Sequence, residues 1–321
     1  MQTLSLYDYT MRYLILIFGI WISGFTFACD ICSSFFEIIP NDRKSSIGFN
    51  YTTLYRNGYP TVHTKHAGHL NLIGSEVKEI FDTYELRGRY AFTDRFFGEM
   101  SIPIRNIYQG VNKSARFDYW GLGDIQLQVT YRPISKLNDK GWNNRLDITG
   151  GFDLPSGKWL DSTDYILIDP IYQMGSGSFD FWGGLSYVVR YNYIGVSLQG
   201  MYRYNTKNPL HYRFGSMATA DFAFFGLIKA GDFMLMPRAG LFYEWGEKSE
   251  IKGLWDEFSG GSILSLQWGL SVNYKQYQFN AFLRNTAMQI SNGPEARQHY
   301  VAQFGLVYAF KGKKKTEEST L

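Results

Sequence analysis

The sequence predicts an all-β transmembrane antiparallel β-barrel of about 12 strands, preceded by a cleaved signal peptide. Three observations predict this fold: the alternation of the last strand, an export signal near the amino end, and a regular order of long and short connections. In the last strand, residues 297–310, the large side chains fall on one face: Tyr300, Ala302, Phe304, Leu306, Tyr308 and Phe310. Small or polar residues occupy the other face, which is typical of a strand between lipid and a lumen.

The end of this strand also carries a candidate membrane-insertion signal. Gln303-x-Gly305-x-x-Tyr308-x-Phe310 resembles the C-terminal insertion signal of bacterial outer-membrane barrels. A charged tail, residues 311–321, follows it. We therefore expect outer-membrane lipid and the outer-membrane assembly machinery to be partners of the chain.

The amino end predicts export. Met11-Arg12 gives a basic start, residues 13–28 are almost wholly apolar, and Thr26-Phe27-Ala28 offers small residues at the cleavage position. We assign residues 1–28 to a signal peptide that starts at Met1 or Met11, and 29–44 to a periplasmic segment. Residues 45–310 form the barrel. An N-terminal anchor helix and a lipoprotein acylated on Cys29 are the alternatives.

Composition favours a barrel over a bundle of membrane helices. Aromatic residues are 18% of the chain, 33 of 321 residues are Gly, and mean hydropathy is -0.23. A helical membrane protein would carry several long apolar runs. In a barrel strand, apolar residues alternate with polar or small ones, so no long apolar run is needed. The net charge of +3 gives no basic patch for nucleic acid. The predicted location is the outer membrane of a Gram-negative bacterium.

The chain contains twelve candidate strands whose connections alternate in length. The predicted strands are 45–56, 79–92, 96–108, 118–132, 144–154, 178–190, 193–204, 214–229, 233–246, 262–274, 277–290 and 297–310. The long connections are 57–78, 109–117, 155–177, 205–213, 247–261 and 291–296, and the others are tight turns, except 133–143. Long outer loops that alternate with short periplasmic turns are typical of transmembrane barrels.

Strand alternation separates the side chains into two faces. The predicted lipid-facing residues are Leu264, Leu266, Trp268, Leu270, Val272 and Tyr274, with Ile194, Val196, Leu198 and Tyr202. Charged residues are too costly in hydrocarbon and must face the lumen. The predicted lumen residues are Glu85, Arg87, Arg89, Glu99, Arg105, Asp124, Arg132, Arg145, Asp147, Asp153, Asp180, Arg190, Arg203, Asp221, Arg238, Glu244 and Arg284, with the aromatic Trp120, Trp182, Phe242 and Phe282.

These lumen residues have two interpretations. They form a network of ion pairs that keeps a narrow barrel rigid, or they line a polar conduit for a small solute. Because acidic and basic residues are nearly balanced, strong ion selectivity is not predicted. A barrel of about 12 strands lies between the side-chain-filled barrel of about 8 and the open porin of about 16, so we expect a narrow path.

Two motifs resemble a known outer-membrane family. Trp120-Gly121-Leu122-Gly123-Asp124 enters one strand, and Asp153-Leu154-Pro155-Ser156-Gly157-Lys158 leaves the next. The pair resembles the "meta-pathway of phenol degradation" outer-membrane proteins, over about residues 80–310. That resemblance implies a barrel that imports small molecules, aromatic or hydrophobic ones among them. In a curved barrel wall, Gly121 and Gly123 relieve crowding between side chains, while Asp124 projects inward.

Two clusters are candidates for metal binding. Cys29-Asp30-Ile31-Cys32 predicts a disulfide in an oxidising periplasm, or a thiolate clip for a metal ion. His63-x-x-His66-x-x-His69 places three imidazoles in the first long loop, which is either a solvated loop or a site for a transition metal. The predicted topology puts the two clusters on opposite sides of the membrane. A metal ion is therefore an alternative, and no other cofactor is predicted.

No nucleophile motif or nucleotide fingerprint is present, so we do not expect an enzyme. The predicted function is an outer-membrane channel for the passive uptake of small molecules, which include aromatic or hydrophobic solutes. The alternatives are a metal-linked barrel that uses the His loop or the Cys pair, and a structural or adhesion barrel.

Overall fold

A computed structural model describes residues 44–59, 75–112, 114–137, 141–159, 162–163, 166–167, 170–293 and 296–310. Alternating large and small side chains build one closed antiparallel barrel of twelve strands, as the sequence predicts. Two of the strands are interrupted. In order, β1 to β12 are Ser46–Gly58, Val77–Ala91, Phe96–Val111, Ser114–Leu122 with Ile125–Leu137, Trp142–Leu154, Asp180–Tyr191, Ile194–Tyr204, Met217–Gly226 with Ile228–Ala230, Phe233–Gly246, Gly261–Tyr274, Tyr277–Ser291 and Arg297–Ala309.

The first and last strands close the barrel. β1 pairs with β12 from Ser46–Ala309 to Asn57–Arg297, with a bulge after Tyr55. Every barrel strand has two strand neighbours, because β8 pairs with both β7 and β9. Closure removes the exposed strand edges that an open sheet would leave.

The connections divide the barrel into two ends. We call the end with short turns and with Ser46 and Ala309 the turn end, and the opposite end the loop end. Two hairpins place Asn192 and Gly231 at positive φ, 49° and 61°, where Asn and Gly are favoured in two-residue turns. β5 and β6 are joined at the loop end by a long connection, residues 155–179.

Two predicted connections are wrong in length. Residues 109–117 are not a long loop, because β3 runs to Val111 and pairs there with Ser114 of β4. Asn112 takes a positive φ of 48°, so this two-residue turn has the chemistry of a tight hairpin. The connection 133–143 is also shorter than predicted, since β4 continues to Leu137 and β5 begins at Trp142.

The outer face of the wall is apolar. Leu198 is 54% exposed and Trp268 is 53% exposed, as the predicted lipid-facing alternation requires. Tyr and Trp side chains lie near both ends of the strands on this face, where interfacial aromatic girdles are expected. At the turn end they include Tyr90, Trp142, Tyr191 and Tyr277, and towards the loop end Tyr204, Trp245 and Tyr300.

Trp120 belongs to this outer face, and its predicted place in the lumen is wrong. Its side chain is 59% exposed and stacks on the ring of Tyr84, with the ring centroids 5.2 Å apart. On β4 the neighbouring Tyr119 points inward instead, where it packs against the buried lumen cluster. Tyr119 and Trp120 are consecutive, so this strand has one aromatic side chain on each face.

Little helical structure occurs in the described chain. Its one helical turn is the 3-10 helix Pro170–Tyr172. None of the described residues forms a helix with the length and apolar character that crossing a bilayer requires.

Candidate functional site: the lumen and its plug segment

The connection between β5 and β6 turns back into the lumen. We define residues 170–179 as the plug segment, which begins with the short helix Pro170–Tyr172. Met174 is 1% exposed and Tyr172 is 9% exposed, although both lie in a connection rather than in a strand. The loop-end half of the lumen is thus occupied by the chain itself.

Asp124 fixes both legs of this connection to the barrel wall. It lies at the interruption of β4, where its Oδ1 accepts the N–H of Gly157 at 2.9 Å. Its Oδ2 accepts the N–H of Ser176 at 2.7 Å and the hydroxyl of Ser176 at 2.8 Å. Hydrogen bonds to a charged acceptor contribute about 1.5–3 kcal/mol each. Asp124 is therefore the anchor of the plug segment.

The two legs meet at a contact that only glycine permits. A Cβ on Gly175 would lie 2.6 Å from Oδ1 of Asp124 and 2.7 Å from Cα of Gly157. A Cβ on Gly121, in the wall, would lie 2.7 Å from Cγ of Met174. These glycines let the plug segment approach the wall closely enough to reach Asp124.

Tyr172 makes several polar contacts between the plug segment and the wall. Its hydroxyl bonds to Glu79, and the amide of Gln109 donates to the same hydroxyl at 2.7 Å. Its carbonyl accepts the hydroxyl of Tyr119. Arg105 donates to the carbonyl of Met174 at 3.2 Å. Side chains of β2, β3 and β4 therefore hold the segment in one position.

Apolar contacts also hold the plug segment against the wall. The ring of Tyr172 stacks on Phe81 with an interplanar angle of 7° and a centroid separation of 6.1 Å. Both rings belong to one buried cluster, which consists of Leu54, Phe81, Ile107, Tyr172, Met174 and Val301. This aromatic and aliphatic cluster therefore occupies the loop-end half of the lumen.

Below the plug segment, towards the turn end, the wall carries ion pairs. Arg87 lies between Glu85, at 3.0 Å, and Glu99, at 3.4 Å. Arg132 of β4 and Arg145 of β5 share Asp147, with the shortest N–O distance, 2.6 Å, from Arg132. Each carboxylate on this part of the wall faces guanidinium groups of its own or the neighbouring strand.

Further charged pairs lie on other parts of the wall. Asp221 of β8 binds Arg238 of β9 and accepts the amide of Gln267 of β10 at 2.7 Å. Arg203 of β7 binds Asp153 of β5 at 2.7 Å. The charge of Glu244 interacts with Arg284 and Arg56 across the lumen.

Several guanidinium groups also lie over inward-facing rings. Arg284 is 4.1 Å from the centroid of Phe242, and Arg89 is 4.3 Å from that of Phe97. Arg238 lies 5.9 Å from Phe282. Such cation–π contacts hold a charged side chain against the wall and present an amphipathic surface to the lumen. The inner surface is thus neither simply charged nor simply apolar.

Two further predicted lumen residues lie at opposite ends of the wall. Trp182 is 5% exposed and packs with Met201 and Met217 towards the loop end. Arg190 lies at the turn end and bonds to the carbonyl of Asn192.

A second loop-end feature covers one side of the mouth. A three-stranded sheet is formed by Tyr212–Arg213, Glu250–Ile251 and Leu254–Trp255. Arg213 bridges Glu250 at 3.3 Å and Glu247 at 3.1 Å. The hydrogen bond from the ammonium of Lys207 lowers the pKa of Glu250 below its ordinary value. This sheet is therefore held together by charged pairs.

The candidate metal residues lie outside the described part of the chain. His63, His66, His69, Cys29 and Cys32 all fall there, as do the predicted signal peptide and the tail 311–321. Within the described ranges, no three His, Cys, Asp or Glu side chains are placed to hold a metal ion. Metal binding at either cluster stays a prediction.

The residues of the predicted insertion signal lie on β12 and directly after it. Phe310 is 47% exposed on the outer face, and Tyr308 lies on the same face. Gln303 is 3% exposed and faces inward, and Gly305 lies close to the inward Asn50, whose Oδ1 would be 2.5 Å from an added Cβ. Their role in insertion stays a prediction.

The sequence does not predict the plug segment. It predicts an outer loop over 155–177, and no pattern in it distinguishes Glu79, Gln109, Tyr172 or Met174. A signal was present in Met174-Gly175-Ser176-Gly177-Ser178, because small residues permit close contact with a wall. That signal does not tell a loop in the lumen from a loop in solvent.

Comparison with solved structures finds the following similarities. The COG4313 outer membrane channel from Pseudomonas putida F1 matches with a TM-score of 0.57 and 18% identity, over 85% of this chain and 100% of that chain. The translocator domain of autotransporter NalP from Neisseria meningitidis has a TM-score of 0.41 and 10% identity, over 95% and 96%. The CymD monoaromatic hydrocarbon channel has a TM-score of 0.38 and 10% identity, over 84% and 89%.

No protein-family model matches the sequence, and comparison with curated proteins finds no match. The resemblance to the "meta-pathway of phenol degradation" family therefore stays a prediction. Because the first structural match is only 18% identical, it establishes the fold alone. That fold is the barrel of Gram-negative outer-membrane proteins.

Proposed function

We propose that this protein is an outer-membrane channel for the passive uptake of small molecules, with the plug segment as its constriction. The observation that carries the proposal is the plug segment itself, which Asp124 anchors beside an apolar cluster in an otherwise polar lumen. Twelve strands enclose more space than side chains alone fill, so the plug segment sets the width of the path that remains.

The inner surface suggests which solutes pass. Tyr172, Phe81 and Ile107 offer an apolar surface at the constriction, and arginines over rings line the wall below it. An aromatic solute can slide on such surfaces while its polar groups meet guanidinium and carboxylate groups. The matched Pseudomonas putida F1 structure is described as an outer membrane channel, which agrees with this proposal.

Liposome swelling tests the proposal directly. The purified chain is reconstituted, and swelling is measured in small aromatic alcohols, sugars and amino acids of matched osmolarity. We expect measurable swelling with the aromatic solutes and slower swelling with disaccharides. Liposomes without protein are the control, and absence of permeation for every solute would overturn the channel function.

A metal-linked barrel is the second candidate, because three histidines recur at a spacing of three in the first long connection. Titration with copper, zinc and nickel, with all three histidines replaced by Ala in a matched variant, tests it. Unchanged binding in the variant removes this segment as a metal site. A Cys29→Ser and Cys32→Ser variant tests the second cluster in the same way.

A further inference from the structure

The outer face of the seam between the first and last strands carries two basic residues side by side at the loop end. Lys78 of β2 and Arg297 of β12 flank Asn57 of β1, which pairs with both of them. Arg56 and Gln298 next to this row are buried and face inward, so the row itself faces outward. We call Lys78, Asn57 and Arg297 the basic row. Both cationic side chains are exposed, and neither forms an ion pair within the described part of the chain.

Aromatic side chains lie next to the basic row, on its turn-end side. The ring of Tyr55 stacks on Tyr300 with the centroids 5.4 Å apart, and the imidazole of His299 lies 5.6 Å from the ring of Tyr55. The ammonium of Lys78 lies 5.9 Å from the centroid of Tyr55. His299 occupies the bulge of β12 and is exposed, so its ring N–H group can reach a ligand on the outer face.

The same three strands become apolar further towards the turn end. Asp82 lies between the aromatic and the apolar parts, and it accepts the hydroxyl of Tyr51 at 2.9 Å. The next two cross-strand rows consist of Tyr84, Tyr51 and Phe304, and then of Leu86, Phe49 and Leu306. From the loop end towards the turn end, the outward side chains therefore change from basic to aromatic and then to apolar.

This order follows the depth profile of a lipid. Tyr300 belongs to the aromatic girdle of the loop end, and such rings lie at the level of the lipid headgroups. Asn57, the centre of the basic row, lies two residues beyond Tyr55, which is about 6.6 Å along the strand. With a strand tilt of about 40°, this row stands about 5 Å further from the hydrocarbon. Long cationic side chains at that height reach lipid phosphates.

We propose that this patch binds the phosphate monoester headgroup of a lipid in the leaflet at the loop end. Lys78 and Arg297 start about 10 Å apart, because neighbouring strands are separated by about 4.8 Å, so both can reach a phosphate above Asn57. Their two positive charges match a phosphate monoester, which carries about −1.5 to −2 near neutral pH. A phosphodiester carries a single negative charge and matches less well.

The apolar rows favour a lipid over a free phosphate ion. A free ion offers the same oxygens to Lys78 and Arg297, but it gains nothing from the apolar wall below them. A lipid places its acyl chains against that wall while its phosphate meets the cations. The proposed site lies outside the lumen, so it does not depend on the channel function.

Lipid-dependent thermal unfolding of the full chain in a neutral detergent tests the proposal. Midpoints are measured with phosphatidic acid, phosphatidylglycerol and phosphatidylcholine that carry the same acyl chains, and with inorganic phosphate. Only phosphatidic acid has a phosphate monoester, so it should raise the midpoint most, because a ligand that binds the folded state stabilises it. An equal rise with phosphatidylglycerol, or with inorganic phosphate at the same concentration, would overturn the proposal.

The double variant Lys78→Gln with Arg297→Gln removes both charges of the basic row. Each cation near a lipid surface strengthens binding about fivefold, so this variant should bind phosphatidic acid about 30-fold more weakly.

The matched control is Lys229→Gln with Lys275→Gln, which removes two exposed cations of the turn end. Lys275 also lies over a tyrosine ring, 4.8 Å from the centroid of Tyr274. The control should keep the affinity of the wild type. Equal weakening in both double variants would indicate general attraction between cations and anionic lipid, and it would overturn a specific site.

Two features keep the test decisive. If the loop-end variant does not fold, the lipid series on the wild type decides alone. If phosphatidic acid binds at the basic row but no solute permeates liposomes, the lipid site stands and the channel function falls.

Discussion

The two halves of the lumen are built on different physical principles. The loop-end half is filled by a connection, whose Tyr172 and Met174 pack in an apolar cluster. The turn-end half is lined by strand side chains, whose charges pair across neighbouring strands, as Arg132 and Asp147 do. Contacts to a connection can be released without opening the barrel, whereas the backbone hydrogen bonds between strands cannot. If the proposed channel function holds, this difference places the barrier to a solute in the loop-end half and the charge preference in the turn-end half.

The largest expected effect comes from removing the ring that fills the loop-end half. Tyr172→Ala removes the stacking on Phe81 and the bonds to Glu79 and Gln109. Loss of a buried aromatic side chain costs about 3–5 kcal/mol of packing, so the plug segment should loosen. We expect single-channel conductance in planar bilayers to rise several-fold.

Tyr172→Phe is the matched control, because it keeps the ring and removes only the hydroxyl. Its conductance should stay close to that of the wild type. Equal conductance of the Ala variant and the wild type would place the barrier elsewhere.

A smaller effect is expected from the turn-end half. Arg238→Gln removes a guanidinium group that binds Asp221, so the lumen becomes more negative. A unit charge acts on a passing ion about 8 Å away in water with about 0.5 kcal/mol, which corresponds to a preference for K⁺ over Cl⁻ raised about twofold. The reversal potential in a salt gradient measures it. Lys78→Gln, on the outer face, serves as the control and should leave selectivity unchanged; an unaltered ratio in Arg238→Gln would contradict the comparison.

The smallest effect concerns pH at the loop-end sheet. Because the pKa of Glu250 is lowered by Lys207, its contribution to stability is full above its ordinary pKa of 4.5. That contribution is lost as the pH falls further, through the lowered value. The protection of the amides in 247–260 against hydrogen exchange, relative to the intrinsic exchange rate at each pH, should therefore fall below about pH 4. Glu250→Gln should abolish this pH-dependent loss of protection, and a loss that persists in the variant would assign it to another group.

The barrel could be predicted from the sequence because successive side chains of a strand point to opposite faces of the wall. Leu266, Trp268 and Leu270 alternate with small or polar residues, and that alternation alone specifies which face meets lipid. Aromatic residues are the exception, since they suit both an interfacial girdle and a lumen. Trp120 was assigned to the wrong face for this reason.

The candidate site could be predicted only in part. The charges of the wall follow from alternation, and Asp124 was expected to project inward. What it binds could not be predicted, because the plug segment has no periodicity and its contacts join residues 33 and 52 positions apart. Its path depends on three-dimensional contacts that no local pattern encodes.

The central claim is that an anchored connection, and not the wall, limits passage. The most direct test is the conductance of Asp124→Ala, measured beside the wild type in the same planar bilayer. Asp124→Ala loses all three bonds to Gly157 and Ser176 while the hydrogen bonds between the strands remain. We predict a several-fold higher conductance and a larger solute size limit for the variant. Conductance and size limit equal to those of the wild type would contradict the account.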